Sequence, residues 1–216
     1  SGYFETVTLS EDDLKRNDMY RANAQRAKAQ SRFADYHDYL LSLEMTAEIG
    51  DFSPLYLQRI TQLTNKSNQF NLTTKRYTAE QMEAVYNSDE YIRLYGKLYD
   101  KFGDNGVVAV TIGKIDSEDK GRLDIELWLM SCRVLKRDME LAMLDSLVAQ
   151  AKKRGIREIY GHYYPTAKNK MVAGLYESFG FEKISQDEEC NTAWRLLVEG
   201  YEDKNTVIKV KEEHYA

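Results

Sequence analysis

The chain has 216 residues, 43% of them hydrophobic and 30% charged, enough for one core of about 150 residues plus an appendage or for two small domains. A net charge of −5 at pH 7 excludes the basic excess of a general nucleic-acid or membrane-surface binder. Two cysteines, Cys132 and Cys190, cannot make a disulfide framework, and no stretch nears the ~20 apolar residues of a membrane span, so a reducing cytoplasm is the expected location.

Residues 1–44 read as a polar, Ala-rich helical arm. Ser10 with Glu11-Asp12-Asp13 behind it marks a helix N-terminus. Leu14, Tyr20, Ala24 and Ala27, then Phe33, Tyr36, Tyr39, Leu40 and Leu43, predict two helices with thin apolar faces that need a covering surface. From residue 45 strands and helices alternate. Met45–Ile49 reads as a strand, Pro54–Leu63 as a helix, and Thr78 opens a helix carrying Met82, Val85 and Tyr86 on one face. Tyr91–Tyr99 and Val107–Ile115 read as strands joined by the turn-forming stretch Phe102–Gly106.

Leu123–Met130 alternates with period 2. Leu123, Ile125, Leu127 and Leu129 are expected on one face, and Asp124, Glu126, Trp128 and Met130 on the other. A strong helix is expected from about Asp138 to Arg154, with Met139, Met143, Leu144, Leu147, Val148 and Ala151 as its stripe and Gly155 as its stop. Ile156–Tyr160 reads as a strand, Asn169–Phe179 as a helix, and Phe181–Ser185 and Ala193–Val198 as strands. Pattern alone implies a mixed α/β sheet bearing helices. His37, His162 and His214 are scattered without ligand spacing, so no metal site is expected.

The run Asn169-Lys-Met-Val172-Ala-Gly-Leu-Tyr176-Glu-Ser-Phe179-Gly180-Phe181 resembles the closing motif of GNAT acyltransferases, with Val172 where a small Ala is usual. Asn68-Gln-Phe-Asn71-Leu-Thr73-Thr74, Lys101–Gly106, Trp128–Leu135 and Pro165–Asn169 resemble the C-terminal region of FkbH-like proteins, as does nearly the whole chain up to about Tyr201. The resemblance implies an α/β GNAT fold with a central mixed sheet and an N-terminal helical arm. Residues 1–44 would be the linker after a haloacid-dehalogenase (HAD) type domain, 45–201 the GNAT-like domain and 202–216 a tail. It also implies a pantetheine thioester, on CoA or on an acyl carrier protein, as the acyl donor. The expected partners are that carrier protein and the HAD-type phosphatase half of a longer chain, which in that family loads a glyceryl unit. The Asp-x-Asp motif of that half is not in this sequence.

GNAT enzymes hold acyl-CoA with Arg/Gln-x-x-Gly-x-Gly/Ala at a helix start, where free N–H groups and the helix dipole suit a pyrophosphate. The matching stretch is Arg133, Val134, Leu135, Lys136, Arg137 and Asp138, followed by Met139. Lys136 and Asp138 stand where the glycines would be. Lys136 and Arg137 are expected to supply positive charge, and Asp138 to cap the helix and take up its free N–H groups. Asn169 is carried over with this cofactor-side set. By the same resemblance Tyr176 is the candidate acid for the leaving thiolate and Glu126 the carboxylate for the nucleophile. Asn68, Asn71 and Thr73 would meet the acceptor. A loop short of glycine is expected to favour a carrier-borne pantetheine, which has no pyrophosphate, over free CoA. The alternative is a non-catalytic docking module serving the HAD domain.

Overall fold

A computed structural model describes residues 10–212, apart from the Glu212 side chain. Helix α1 spans Glu11–Gln30 and α2 spans Tyr36–Ser42. The Ser10 side chain accepts from the Asp13 N–H, and three acidic residues fill the first turn of α1, where the helix dipole favours them. Strand β1 (Thr46–Gly50) leads into α3 (Leu57–Lys66) and α4 (Ala79–Tyr86). Helix α4 starts on a capping box, in which Thr78 and Gln81 satisfy each other's backbone N–H. Strands β2 (Tyr91–Asp100), β3 (Gly103–Ile115) and β4 (Arg122–Met130) follow, then α5 (Met139–Lys153), β5 (Glu158–Tyr163) and α6 (Leu175–Ser178). The chain ends with β6 (Glu182–Gln186), β7 (Thr192–Leu197) and β8 (Lys209–Glu212).

The strands form one mixed sheet in the order β6-β7-β5-β4-β3-β2-β1-β8. Pairing is antiparallel throughout except at β4–β5 and β1–β8, which are parallel. Helix α5 buries Met139, Met143, Leu144, Leu147 and Val148 on one face of the sheet. Approach is close: a Cβ on Gly96 would lie 2.5 Å from Met139 Cε. On the other face α3 and α4 place Ile60, Leu63, Met82 and Val85 against Tyr95, Val110, Ile112, Leu127 and Leu129.

Three expectations need correction. First, the alternation in β4 does not run straight through. Ile112 faces Leu127 but Gly113 faces Ile125, so Glu126 is an extra residue in a β-bulge. The bulge turns Leu123 and Ile125, with Trp128 and Met130, toward the α5 core, while Leu127 and Leu129 join the α3–α4 core. Second, Asn169–Phe179 is not one helix: a 3₁₀ turn at Lys170–Val172 and the short α6 flank Gly174. Third, Lys209–Glu212, expected within a tail, form β8, which extends the sheet alongside β1. Smaller shifts place the helix expected at Pro54–Leu63 over Leu57–Lys66, and the strand expected at Ile156–Tyr160 over Glu158–Tyr163.

The arm packs on the domain through Ala22, Tyr39, Leu40 and Leu43. Its strongest tie is polar. Arg26 donates from Nε to Asp100 Oδ2 at 2.6 Å and from Nη2 to Oδ1 at 2.9 Å, with both side chains buried. Such charges are tolerated out of water only when paired and hydrogen-bonded.

Candidate functional site

Strands β4 and β5 pair over three positions only: Arg122 with Glu158, Leu123 with Ile159 and Asp124 with Tyr160. Beyond these the parallel strands part, because β4 continues to Met130 with no further β5 partner. The opening is filled by the chain itself. Residues Phe70–Leu72 lie antiparallel along β4, with Asn71 facing Leu129. The Leu72 N–H donates to the Trp128 carbonyl at 3.1 Å, and the Met130 N–H to that of Phe70 at 3.0 Å. On the β5 side the Tyr164 N–H donates to the Leu72 carbonyl at 2.9 Å. Asn169 locks the arrangement, donating from Nδ2 to the carbonyls of Asn71 (2.9 Å) and Tyr164 (3.0 Å) while its Oδ1 accepts from the Thr166 N–H. Asn71 and Asn169 are both fully buried, and their side chains serve this internal stitching.

At one end of the opening lies a cavity of about 730 Å³ lined by Arg59, Lys66, Asn68, Cys132, Arg133 and Lys168 among others. It holds four cations and no carboxylate. Burial and the neighbouring Arg133 lower the Arg59 pKa. Asn68 is held by the Arg76 guanidinium. This basic mouth sits where β4 gives way to the loop before α5.

That loop keeps the backbone shape for which glycine is usual. Lys136 and Asp138 adopt φ of 63° and 64°, the left-handed region. Asp138 precedes α5 but makes no side-chain capping bond, which corrects the expectation that it takes up the helix N–H groups. Arg137 is not a free cation either. It is buried, with Nη1 3.3 Å from Asp100 Oδ2 and Nη2 donating to the Arg133 carbonyl at 2.8 Å. The Tyr36 hydroxyl of the arm donates to the Lys136 carbonyl. Burial raises the Asp138 and Glu140 carboxyl pKa values. Met139 and Val134 are buried in the core, and Leu135 packs against it.

At the other end, past Leu72, is a polar cavity of about 480 Å³ lined by Thr73, Lys75, Asp124, Glu126, His162 and Tyr164 with Ile125. His162 Nε2 lies 3.0 Å from Asp124 Oδ1. Arg122 grips the same carboxylate, from Nε to Oδ2 at 2.9 Å and from Nη2 to Oδ1 at 3.0 Å. Desolvation pushes the Asp124 pKa up, but the bonds from His162 and Arg122 outweigh it and bring it down to about 2. Glu126 Oε2 pairs with Lys75 Nζ at 3.0 Å, and the Thr73 hydroxyl donates to the Glu126 carbonyl at 2.7 Å. In the sequence His162 stands only as one of three scattered histidines. The available signal was period 2: Asp124 faces Tyr160 across the sheet, and two residues on along β5 stands His162.

Tyr176 packs under β5. A Cβ on Gly161 would lie 2.4 Å from its Cε1, so this glycine is what admits the ring. The Tyr176 ring meets Trp128 edge-on at 6.3 Å and Phe181 at 5.0 Å. The Trp128 Nε1 is buried without a hydrogen-bond partner, and the buried Tyr176 hydroxyl has only the His162 main chain beside it. Burial raises the Tyr176 pKa, with partial relief from the His162 main chain, and so keeps the hydroxyl protonated. The structure thus brings Thr73 and Glu126 into one cavity and Asn68 and Arg133 into the other. It sets Tyr176, Asn71 and Asn169 in the buried wall between β4 and β5. Among the described residues no group of three His, Cys, Asp or Glu could hold a metal, and no helix is long and apolar enough to cross a membrane.

By sequence the chain matches no protein-family model and no curated protein. By structure it is similar to the Escherichia coli ribosomal-protein-S18-alanine N-acetyltransferase, with a TM-score of 0.53 and 13% identity over 74% of this chain and 99% of that one. It is equally similar to yncA of Salmonella typhimurium, a putative acetyltransferase solved with acetyl-CoA (TM-score 0.53, 13% identity, 73% of this chain and 96% of that one). The GNAT domain of S. lividans PAT gives a TM-score of 0.53 at 15% identity, over 69% and 89%. The chain therefore has the GNAT acetyltransferase fold, with an eight-stranded mixed sheet.

Proposed function

We propose that this GNAT-fold chain transfers an acyl group from a pantetheine thioester on an acyl carrier protein to a small acceptor. The observation that carries it is the alignment of two unlike cavities at the ends of one opening in the sheet. The mouth is cationic, with Arg59, Lys66, Arg133 and Lys168, while the inner cavity holds paired acids and bases. A carrier-borne pantetheine has one phosphodiester where CoA has a pyrophosphate and a nucleotide. Four cations suit a single phosphate and an acidic carrier surface. The loop that would take a pyrophosphate has Arg137 tied to Asp100, and Tyr36 sits on Lys136.

For the thioester to reach the inner cavity, residues 70–72 must leave β4, exchanging their backbone bonds for those of the pantetheine amides. That movement would also uncover the donors of Trp128 and Tyr176. In this scheme Tyr176 protonates the leaving thiolate, Glu126 helps orient the acceptor, and Asn68 and Thr73 flank the donor's path. On the FkbH-like resemblance the acyl unit is a glyceryl group loaded by a HAD-type half outside these 216 residues. Calorimetry against CoA, acetyl-CoA and a holo-carrier protein tests the proposal. The carrier is expected to bind at least about tenfold tighter than CoA, a difference of about 1.4 kcal/mol. Tighter binding of CoA overturns the carrier preference. Carrier binding with no acyl turnover in any donor overturns the transferase and leaves a docking module.

A further inference from the structure

We infer that His162, oriented by Asp124, is the general base of this chain, and that its cavity takes a small uncharged alcohol as acceptor. The inference rests on the transferase proposal and adds to it the base and the substrate class. Its ground is the hydrogen-bond pattern of the inner cavity. Asp124 can only accept at neutral pH, so the 3.0 Å contact places a proton on His162 Nε2. That leaves Nδ1 as the basic nitrogen, and among the described residues it has no hydrogen-bond partner. A carboxylate fixing one imidazole nitrogen while the other meets the substrate is the arrangement a base needs. The carboxylate itself is held rigid by two bonds from Arg122. Tyr164 stacks on the imidazole at 6.3 Å and 26°, which limits its rotation.

Charge selects the acceptor class. Both carboxylates in the cavity are already matched in charge, Asp124 by Arg122 and Glu126 by Lys75. Neither is left to hold an ammonium, and Lys75 repels one. A neutral hydroxyl meets no such penalty and finds the free Nδ1 as acceptor for its proton. In the step, the hydroxyl oxygen attacks the thioester carbonyl carbon and forms a C–O bond as its proton passes to His162 Nδ1. The C–S bond then breaks, and the thiolate takes the Tyr176 proton. The imidazolium releases its proton to solvent, from which Tyr176 regains one. The net change is thioester plus alcohol to ester plus thiol.

The test uses the whole chain with S-acetyl-phosphopantetheine as donor, glycerol or propylamine as acceptor, and thiol release as readout. His162→Ala is expected to lower kcat by about 100-fold or more, with KM for the donor within about twofold. Free imidazole should restore about tenfold of the loss by filling the space left, a rescue that a structural histidine would not show. His162→Gln, which keeps a polar side chain, should be as slow and supplies the comparison if the Ala variant fails to fold. Glycerol should be acylated faster than propylamine. A His162→Ala enzyme that loses less than about threefold, or loses activity without imidazole rescue, overturns the base assignment. So does a larger loss in Glu126→Gln. Preference for propylamine overturns the substrate class. If the native chain releases no thiol with any acceptor, the transferase proposal itself falls and this assignment with it.

Discussion

The Asn169 side chain donates to the Asn71 main-chain carbonyl at 2.9 Å, joining two loops 98 residues apart across the opening between β4 and β5. Both groups are fully buried. Asn169→Ala removes four hydrogen bonds and leaves the Asn71 and Tyr164 carbonyls, the Thr166 N–H and the Tyr163 hydroxyl without that partner. A loss of about 2–4 kcal/mol is expected, since each stranded group carries its own desolvation cost. Urea unfolding at constant m-value measures it. A loss below about 0.5 kcal/mol would mean that water replaces the amide and that the wall is loose.

This contact also shows where sequence reading reaches and where it stops. Helix α5 was legible because Met139, Met143, Leu144, Leu147, Val148 and Ala151, all buried, repeat at helical spacing before Gly155. The strands were legible from period 2. The bulge at Glu126 was not, because one inserted residue changes which face a side chain occupies without changing the pattern of apolar letters. Strand β8 carries Lys209, Lys211 and Glu212 on a sheet edge, so little apolar signal marked it. In the site, Arg133 and Glu126 were expected from the resemblance, and each lines a cavity. The burial of Arg137 depends on Asp100, 37 residues away, and the His162–Asp124 pair on strand register. Such partners are set by tertiary packing, which spacing along the chain does not encode.

Backbone conformation gives a second prediction. Lys136 sits at φ 63°, which costs a side chain about 1–2 kcal/mol relative to glycine. Lys136→Gly should therefore stabilise the chain by about 1 kcal/mol, or roughly 2–4 °C in Tm. Asp138→Gly should gain less, because aspartate tolerates the left-handed region better. A fall in Tm for Lys136→Gly would show that the exposed lysine side chain contributes more than its backbone strain removes.

Asp100 is the shared partner of Arg26 and Arg137, at 2.6 Å and 3.3 Å. Asp100→Ala leaves two buried guanidinium groups unmatched, and a loss of about 3–5 kcal/mol is expected. Hydrogen exchange should show α1 losing protection first, because Arg26 is its main polar tie. Unchanged protection across Glu11–Gln30 would show that the apolar contacts of Ala22 hold the arm alone.

The Asp124 carboxyl has a folded pKa of about 2 against an ordinary 3.8. A depressed carboxyl contributes stability that is fully present above its unfolded pKa and is lost as pH falls through the folded value. The window is pH 4 to 2, and the contribution at neutral pH is about 2 kcal/mol. Asp124→Asn should flatten the acid limb of the stability curve in that window. An unchanged acid limb would show that the depression does not persist in solution.

The cationic mouth supplies the last prediction. Arg133 and Lys168 are exposed at its rim, with Arg59 partly covered behind them. Arg137 is unsuited to a charge test, since reversing it would place a second carboxylate beside buried Asp100 and unfold the loop. Arg133→Glu with Lys168→Glu changes only groups facing water and should leave Tm nearly unchanged. If an acidic carrier protein docks at the mouth, the double variant turns two attractions into repulsions. Affinity should fall by about tenfold or more, mostly in the association rate, because exposed charges steer encounter more than they hold the complex. The loss should shrink as salt rises from 0.01 M to 1 M, where the Debye length falls from about 30 Å to about 3 Å. A loss independent of salt would place these residues in direct contact with the phosphopantetheine phosphate. No loss at any salt would move carrier docking to another face of the domain.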